Sequence, residues 1–250
     1  MVKLFLVFFF SLSLSACSSI SKENEEAAKL HLKIGTAHLN NENYPLALNS
    51  LLTAEELDPE NPVIQNNLGL AYFFRERYDL AEVHVRKALK LEPKYSDARN
   101  NLARLLIERG RYDDSIRESQ VVIQDLTYPS PEKPLINLGL AQFKMADYAE
   151  AKKTFQKALD FQRDNCLAQT YYGRSLFEMK EFDRASESLD RAAGFCQRSL
   201  FDEPHYYSAL SYYQLGQTQK AVARLEGLIK LYPNGRYTDK ARAMLETIRR

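Results

Sequence analysis

The sequence predicts an all-α chain of six stacked helical hairpins closed by one further helix. Three observations predict it. Tiny residues recur every 34 to 36 positions, other small residues and an aromatic follow each at fixed offsets, and the composition is that of helices. Gly and Pro number only nine each among 250 residues, too few for a turn-dense β fold or a collagen-like chain. Leu, Ala, Glu, Lys and Arg, all good helix formers, dominate. Apolar residues make up 45%, enough to bury a sizeable core.

The elements follow from the register. Leu68-Gly69-Leu70-Ala71 and Leu138-Gly139-Leu140-Ala141 are identical and seventy residues apart, which is two periods. Gly35, Ala103, Gly173 and Ala209 continue the series. Twelve positions after each stand Ala47, Ala81, Ser115, Ala151, Ala185 and Ala221, and nineteen after stand Ala54, Ala88, Val122, Ala158, Ala192 and Leu228. Nine after come Tyr44, Tyr78, Tyr112, Tyr148 and Phe182, with Thr218 in the last unit. Small residues on both helices let a pair pack closely, the aromatic is expected to plug the gap between units, and Pro59, Pro93 and Pro233 stop the second helix. Two-residue insertions precede the fourth and sixth units. The longest connection is expected from Thr127 to Pro134.

This pattern resembles the tetratricopeptide repeat (TPR), a 34-residue helical hairpin. The resemblance covers residues 28–235 and implies a right-handed superhelix of about six units: 28–61, 62–95, 96–131, 132–165, 166–201 and 202–235. Residues 236–250, with Ala241, Met244, Leu245 and Ile248 on one face, read as the capping helix that such an array needs.

The N-terminus reads as an address. Met1-Val2-Lys3 is a short positive start, and Leu4 to Leu14 is apolar except for Ser11 and Ser13. Eleven residues are too few to span a bilayer and fit a signal-peptide core. Leu14-Ser15-Ala16-Cys17 resembles the bacterial lipobox. That resemblance implies cleavage of residues 1–16 and a diacylglycerol and an N-acyl chain on Cys17, with residues 17–27 as a lipidated polar tether. Ser18, not Asp, follows Cys17, and in Gram-negative sorting this implies the periplasmic face of the outer membrane. No other cofactor is expected.

Cys166 opens the first helix of the fifth unit and Cys196 follows its second helix, so antiparallel pairing brings them together. In an oxidising periplasm they are expected to form a disulfide; two buried thiols are the alternative. His31 and His38 share a helix face but stand where this repeat places packing residues, and His84 and His205 are isolated, so no metal site is expected. No His-Glu-x-x-His, Gly-x-Ser-x-Gly, phosphate-binding or dinucleotide-binding motif occurs, and no enzyme activity is expected. Outside the first sixteen residues the basic and acidic residues balance, which gives no electrostatic reason to bind nucleic acid. Acids are in excess over residues 21–62 and bases over residues 217–250.

By the repeat positions that line the concave surface of TPR arrays, a protein-binding groove is expected. It takes Leu32 and Leu39 from the first unit, and Val63, Asn66, Leu70, Phe73 and Phe74 from the second. The third adds Asn100, Arg104 and Ile107, and the fourth Ile136, Leu140 and Phe143. Such an apolar surface with a few amides suits an extended or amphipathic segment of a partner, not a small molecule. Lipobox, six units and a late cysteine pair together resemble the type IV pilus pilotin lipoproteins (PilF/PilW/Tgl type). The resemblance implies an outer-membrane scaffold that assists assembly and placement of a pilus secretin, and so motility. The alternatives are a subunit of the β-barrel assembly machinery or an adaptor for peptidoglycan hydrolases, since Leu231 to Tyr237 resembles repeat ends in such proteins, and after them a cell-wall hydrolase.

Overall fold

A computed structural model describes residues 22–198 and 201–249, and among these every regular element is helical. Helix α1 runs over residues 22–40. It is followed by α2 (Tyr44–Leu57), α3 (Pro62–Phe74), α4 (Tyr78–Leu91), α5 (Ser96–Glu108) and α6 (Tyr112–Ile123). Then come α7 (Glu132–Lys144), α8 (Tyr148–Phe161), α9 (Cys166–Glu178), α10 (Phe182–Phe195), α11 (Glu203–Gln214), α12 (Thr218–Leu231) and α13 (Thr238–Arg249). The helices fall into two compact units that divide between Leu105 and Leu106, inside α5. The segment 1–16, Cys17 and the next four residues lie outside the described residues.

Two expected boundaries move. Residues 22–27, expected in the tether, belong to α1, where Glu25 and Lys29 pair one turn apart and Ala28 is buried. The connection expected at Thr127 to Pro134 ends at Pro131, because α7 begins at Glu132 and buries Pro134 in its first turn. A proline fits there because first-turn N–H groups have no helical acceptor.

One backbone device closes all six odd-to-even helix turns. Glu42, Glu76, Gly110, Ala146, Lys180 and Gly216 each adopt positive φ, between 57° and 72°. The next N–H reaches back five residues, as Arg77 N does to Tyr72 O (2.9 Å) and Glu181 N to Leu176 O (2.9 Å). This is the Schellman arrangement, and it satisfies carbonyls that a helix end leaves without partners. Only two of the six residues are glycine, so four turns hold a side chain in a region that favours glycine.

The recurring aromatic does something other than the register suggests. Phe73–Tyr78, Phe143–Tyr148 and Phe177–Phe182 are in ring contact at 5.7, 5.2 and 5.4 Å, each pair flanking one turn. The five-residue step across a tight turn brings the two rings together in tilted or edge-on contact, so these pairs clasp a hairpin. Tyr44, stacked on Phe74 at 4.6 Å, does bridge one hairpin to the next.

The small residues act by making room. A Cβ on Gly139 would stand 2.8 Å from Phe155 Cε1, and one on Gly173 would stand 2.7 Å from Leu189 Cγ. Both partners are fully buried, so each missing methyl admits a large side chain of the paired helix. On the second helices Ala47, Ala81, Ala151, Ala185 and Ala221 are likewise sealed. In the first unit Leu51, Ile64 and Leu68 form the centre of one cluster. In the second, Phe155 centres another, and α13 lays Ala241 and Leu245 on Leu225 and Leu228.

Candidate functional site

The first unit has an amide ladder and an arginine on a pair of rings. Asn67 Nδ2 donates to Thr36 Oγ1 (2.9 Å), Asn66 Nδ2 to Asn67 Oδ1 (3.3 Å), and Asn101 Nδ2 to Asn66 Oδ1 (2.8 Å). These bonds tie α1, α3 and α5 together through polar groups, so their spacing is fixed by direction as well as by apolar contact. Beside the ladder, the Arg104 guanidinium lies 4.7 Å from the Phe73 ring centre and 5.2 Å from that of Phe74. A shallow cleft there is lined by Leu70, Phe73, Asn101, Arg104 and Leu105. Val63 and Phe74 show 38% and 36% of their surface to solvent.

The second unit repeats the motif in a closed form. Arg174 lies 4.7 Å from the Phe143 ring centre and 4.1 Å from that of Tyr207, with Tyr171 at 5.5 Å. Its Nη1 donates to Glu203, and Glu178 stands 3.5 Å from Nη2. Only 14% of the Arg174 side chain and 2% of the Glu203 side chain are exposed. Burial, with Glu203 adding to it, pushes the Tyr171 hydroxyl up to about 12. Burial works against the charge on Arg174, but Glu203 outweighs it and holds the guanidinium more firmly protonated than usual.

A second polar hub joins α10, α11 and α12. Asp190 accepts from Ser208 Oγ (2.6 Å), Tyr212 OH (2.8 Å), and Arg224 Nε and Nη2 (2.8 and 2.7 Å). Burial raises its carboxyl, yet bonds from Arg224, Ser208 and Tyr212 outweigh that and leave it below the ordinary range. Nearby, Cys166 and Cys196 are bonded through sulfur at 2.04 Å, with Cα atoms 5.1 Å apart. They sit at the first residue of α9 and just past the last of α10, so the bridge closes the open end of that hairpin.

The thirteen groove residues divide. Leu39, Asn66, Asn100, Ile107, Ile136 and Phe143 are buried, so they act in packing and not as open surface. Leu32, Leu70, Phe73 and Leu140 are half-buried, and Val63, Phe74 and Arg104 are exposed. The register cannot tell a side chain that faces solvent from one covered by the next helix. Phe143 is the clearest case, with Tyr148, Tyr171 and Arg174 all around it. Sequence reasoning passed over Arg174, Glu203 and Asp190. One signal was present: Arg174 stands directly after Gly173, as Arg104 does after Ala103. His84 and His205 are packing residues: His84 stacks on Tyr72 at 5.3 Å and shares a 2.8 Å bond with Gln65, and His205 meets Tyr232 at 5.5 Å.

Paired helices with sealed small residues at a 34-residue period define a repeat scaffold, and the chain is a tetratricopeptide-repeat protein. Tetratricopeptide-repeat family descriptions match residues 35–73, 72–123, 133–165 and 205–235. Among solved structures the chain is similar to PilF of Pseudomonas aeruginosa, with a TM-score of 0.74 and 23% identity over 89% of this chain and 99% of that one. It is also similar to PilW, a widely conserved type IV pilus biogenesis factor, with a TM-score of 0.77 and 19% identity over 85% of this chain and 97% of that one. The Cut9–Hcn1 hetero-tetramer of APC/C gives a TM-score of 0.78 at 17% identity, over 94% of this chain and 46% of that one. At such identities the likeness is one of fold. A comparison with curated protein sequences gives no match.

Proposed function

We propose that this chain is a lipid-anchored scaffold of type IV pilus biogenesis, a pilotin that holds a segment of the pilus secretin while acyl chains on Cys17 keep it at the outer membrane. The observation that carries the reading is coverage: nearly the whole length of PilF and of PilW aligns with this chain, 99% and 97%. Those alignments also take in 89% and 85% of this chain, whereas the TPR proteins TTC0263 and YrrB, aligned over 98% and 97% of their own length, take in 75% and 77% of it. The exposed face at Val63, Phe74 and Arg104 supplies a place to grip a protein segment. The chemistry is mechanical, because a rigid helical array presents side chains without forming or breaking bonds.

Affinity capture from detergent-solubilised envelopes tests this. The secretin is expected with the wild-type chain and is expected to be lost with Phe73→Asp at unchanged helicity. Cys17→Ala is expected to move the protein from the outer-membrane fraction to the soluble fraction. Recovery of a β-barrel assembly protein in place of the secretin would overturn the pilus reading. Sedimentation of the Cys17→Ala protein with the outer membrane would remove the anchor.

A further inference from the structure

Several exposed cations of the second unit meet a carboxylate one turn back on their own helix. Lys153 pairs with Glu150, Arg184 with Glu181, and Arg242 with Asp239 at 2.9 Å. Arg236 and Lys240 are arranged differently. Both are exposed, and among the described residues neither is in an ion pair. Both lie on one ring: the Lys240 ammonium is 5.1 Å and the Arg236 guanidinium 5.8 Å from the centre of Tyr237. The acids around them are committed elsewhere, Asp239 to Arg242 and Glu203 to Arg174. The ring itself is fixed. Tyr237 is buried, its N–H donates to the buried Asp202 carboxylate at 2.7 Å, and Tyr206 stacks on it at 5.0 Å. Like charges four residues apart disfavour each other. Held together on a rigid platform, this pair is preorganised for a ligand that supplies the missing negative charge.

Beside the cations, α11 offers an apolar row. Tyr206, Leu210 and Tyr213 are spaced by four and three residues, which puts them on one side of the helix. Tyr206 and Leu210 are half-buried, and Tyr213 is 39% exposed. The stack of Tyr206 on Tyr237 joins this row to the cations. A guanidinium resting on a ring keeps its N–H edge open to a carboxylate. In an extended chain alternate side chains share a face and stand about 7 Å apart, so two acids at alternate positions reach two cations held on a single ring. A lipid surface suits this face less well. Anionic lipid calls for clusters of about four to eight bases, whereas here two cations border tyrosines and Asp239 lies between them in sequence. We propose that Arg236, Lys240 and the Tyr206–Leu210–Tyr213 row dock an extended acidic segment of a protein partner. Glu or Asp at two alternate positions pairs with the cations, and an apolar side chain two residues beyond them packs on the tyrosine row. The inference goes beyond the pilus reading and does not depend on it.

The probe is the labelled synthetic peptide Leu-Ser-Glu-Ser-Glu-Ser-Leu, which reads the same in both directions. One control peptide has Gln in place of both Glu, and another has Ser in place of both Leu. Each is titrated against the full-length protein by fluorescence anisotropy. Loss of the two carboxylates is expected to weaken binding by about tenfold, and loss of the two Leu side chains by about threefold. Arg236→Gln combined with Lys240→Gln is expected to erase the difference between the Glu and Gln peptides. Lys220→Gln combined with Lys230→Gln, which removes exposed cations of α12, is expected to leave that difference intact. Circular dichroism establishes that both variants fold. Absence of saturable binding, equal affinity for the Glu and Gln peptides, or equal affinity for the Leu and Ser peptides would each overturn the proposal. So would a difference that survives the change at Arg236 and Lys240, or one that the α12 change erases equally. Phosphatidylglycerol vesicles serve as the second probe. Vesicle binding that the change at Arg236 and Lys240 abolishes, with no preference among the peptides, would assign these cations to a lipid surface and overturn the proposal as well.

Discussion

Arg104 and Arg174 stand at the same repeat position on rings of the same type, yet their surroundings oppose each other. Arg174 is nearly covered, and it has Glu203 against it and Tyr207 above it. Arg104 is exposed beside a cleft. The second unit also holds the sulfur bridge and the Asp190 hub, whereas the first relies on an apolar cluster and the amide ladder. The contrast teaches that one repeat position can be covered and act as a brace or can lie exposed. In the second unit a carboxylate and a ring turn the arginine into structure.

Removing the brace gives the largest expected effect. Glu203→Ala leaves a buried guanidinium without its main counter-charge, and unfolding free energy is expected to fall by about 3–5 kcal/mol in urea titration. Arg104→Ala, on an exposed face, is expected to cost under about 1 kcal/mol. Equal costs for the two would break the comparison. Next comes the bridge. Cys166→Ser with Cys196→Ser opens a loop of 30 residues and is expected to cost about 2–4 kcal/mol, read from the shift in the midpoint of urea denaturation.

Acid sharpens the comparison further. Burial holds His84, in the first unit, and His205, in the second, below the ordinary value of 6.5. The unfolded chain therefore takes up these protons first as pH falls, so their contribution is complete above 6.5 and is lost progressively below it. Stability is expected to decline between pH 7 and 5, and His205→Gln is expected to flatten that decline in part. The depressed carboxyl of Asp190 acts lower, with stability present above 3.8 and lost as pH falls through its folded value. A stability profile flat from pH 7 to 5 would remove the histidine account. The smallest effect concerns the turns. Gly216→Ala is expected to destabilise by about 1 kcal/mol, because it forces a Cβ into positive φ, and Lys180→Gly is expected to change thermal stability by less than that or raise it slightly.

Much of this was legible in the sequence. Gly139 and Gly173 announce a close approach because no other residue leaves that space, and the spacing from Gly35 to Ala209 sets the hairpin period without any structure. The face bearing Val63, Phe74 and Arg104 was legible too, because repeat position fixes direction on a helix. What the pattern could not show is depth. Leu140 and Phe143 lie on one face of α7, yet only Phe143 is buried, because Tyr148 across the hairpin and Tyr171 and Arg174 on the next hairpin surround it. The turn residues were hidden for another reason: Glu42, Glu76, Ala146 and Lys180 have no intrinsic preference for positive φ and are held there by the bonds of the turn.

The sequence by itself determined the helical hairpins, their period and the face each helix turns inward, because these depend on side-chain size and on neighbours a few residues away. Tertiary structure alone decided which arginine became a brace. That choice required Glu203 and Tyr207, on a helix about thirty residues further along, to reach Arg174, and the burial that makes their pairing strong exists only once the helices have packed.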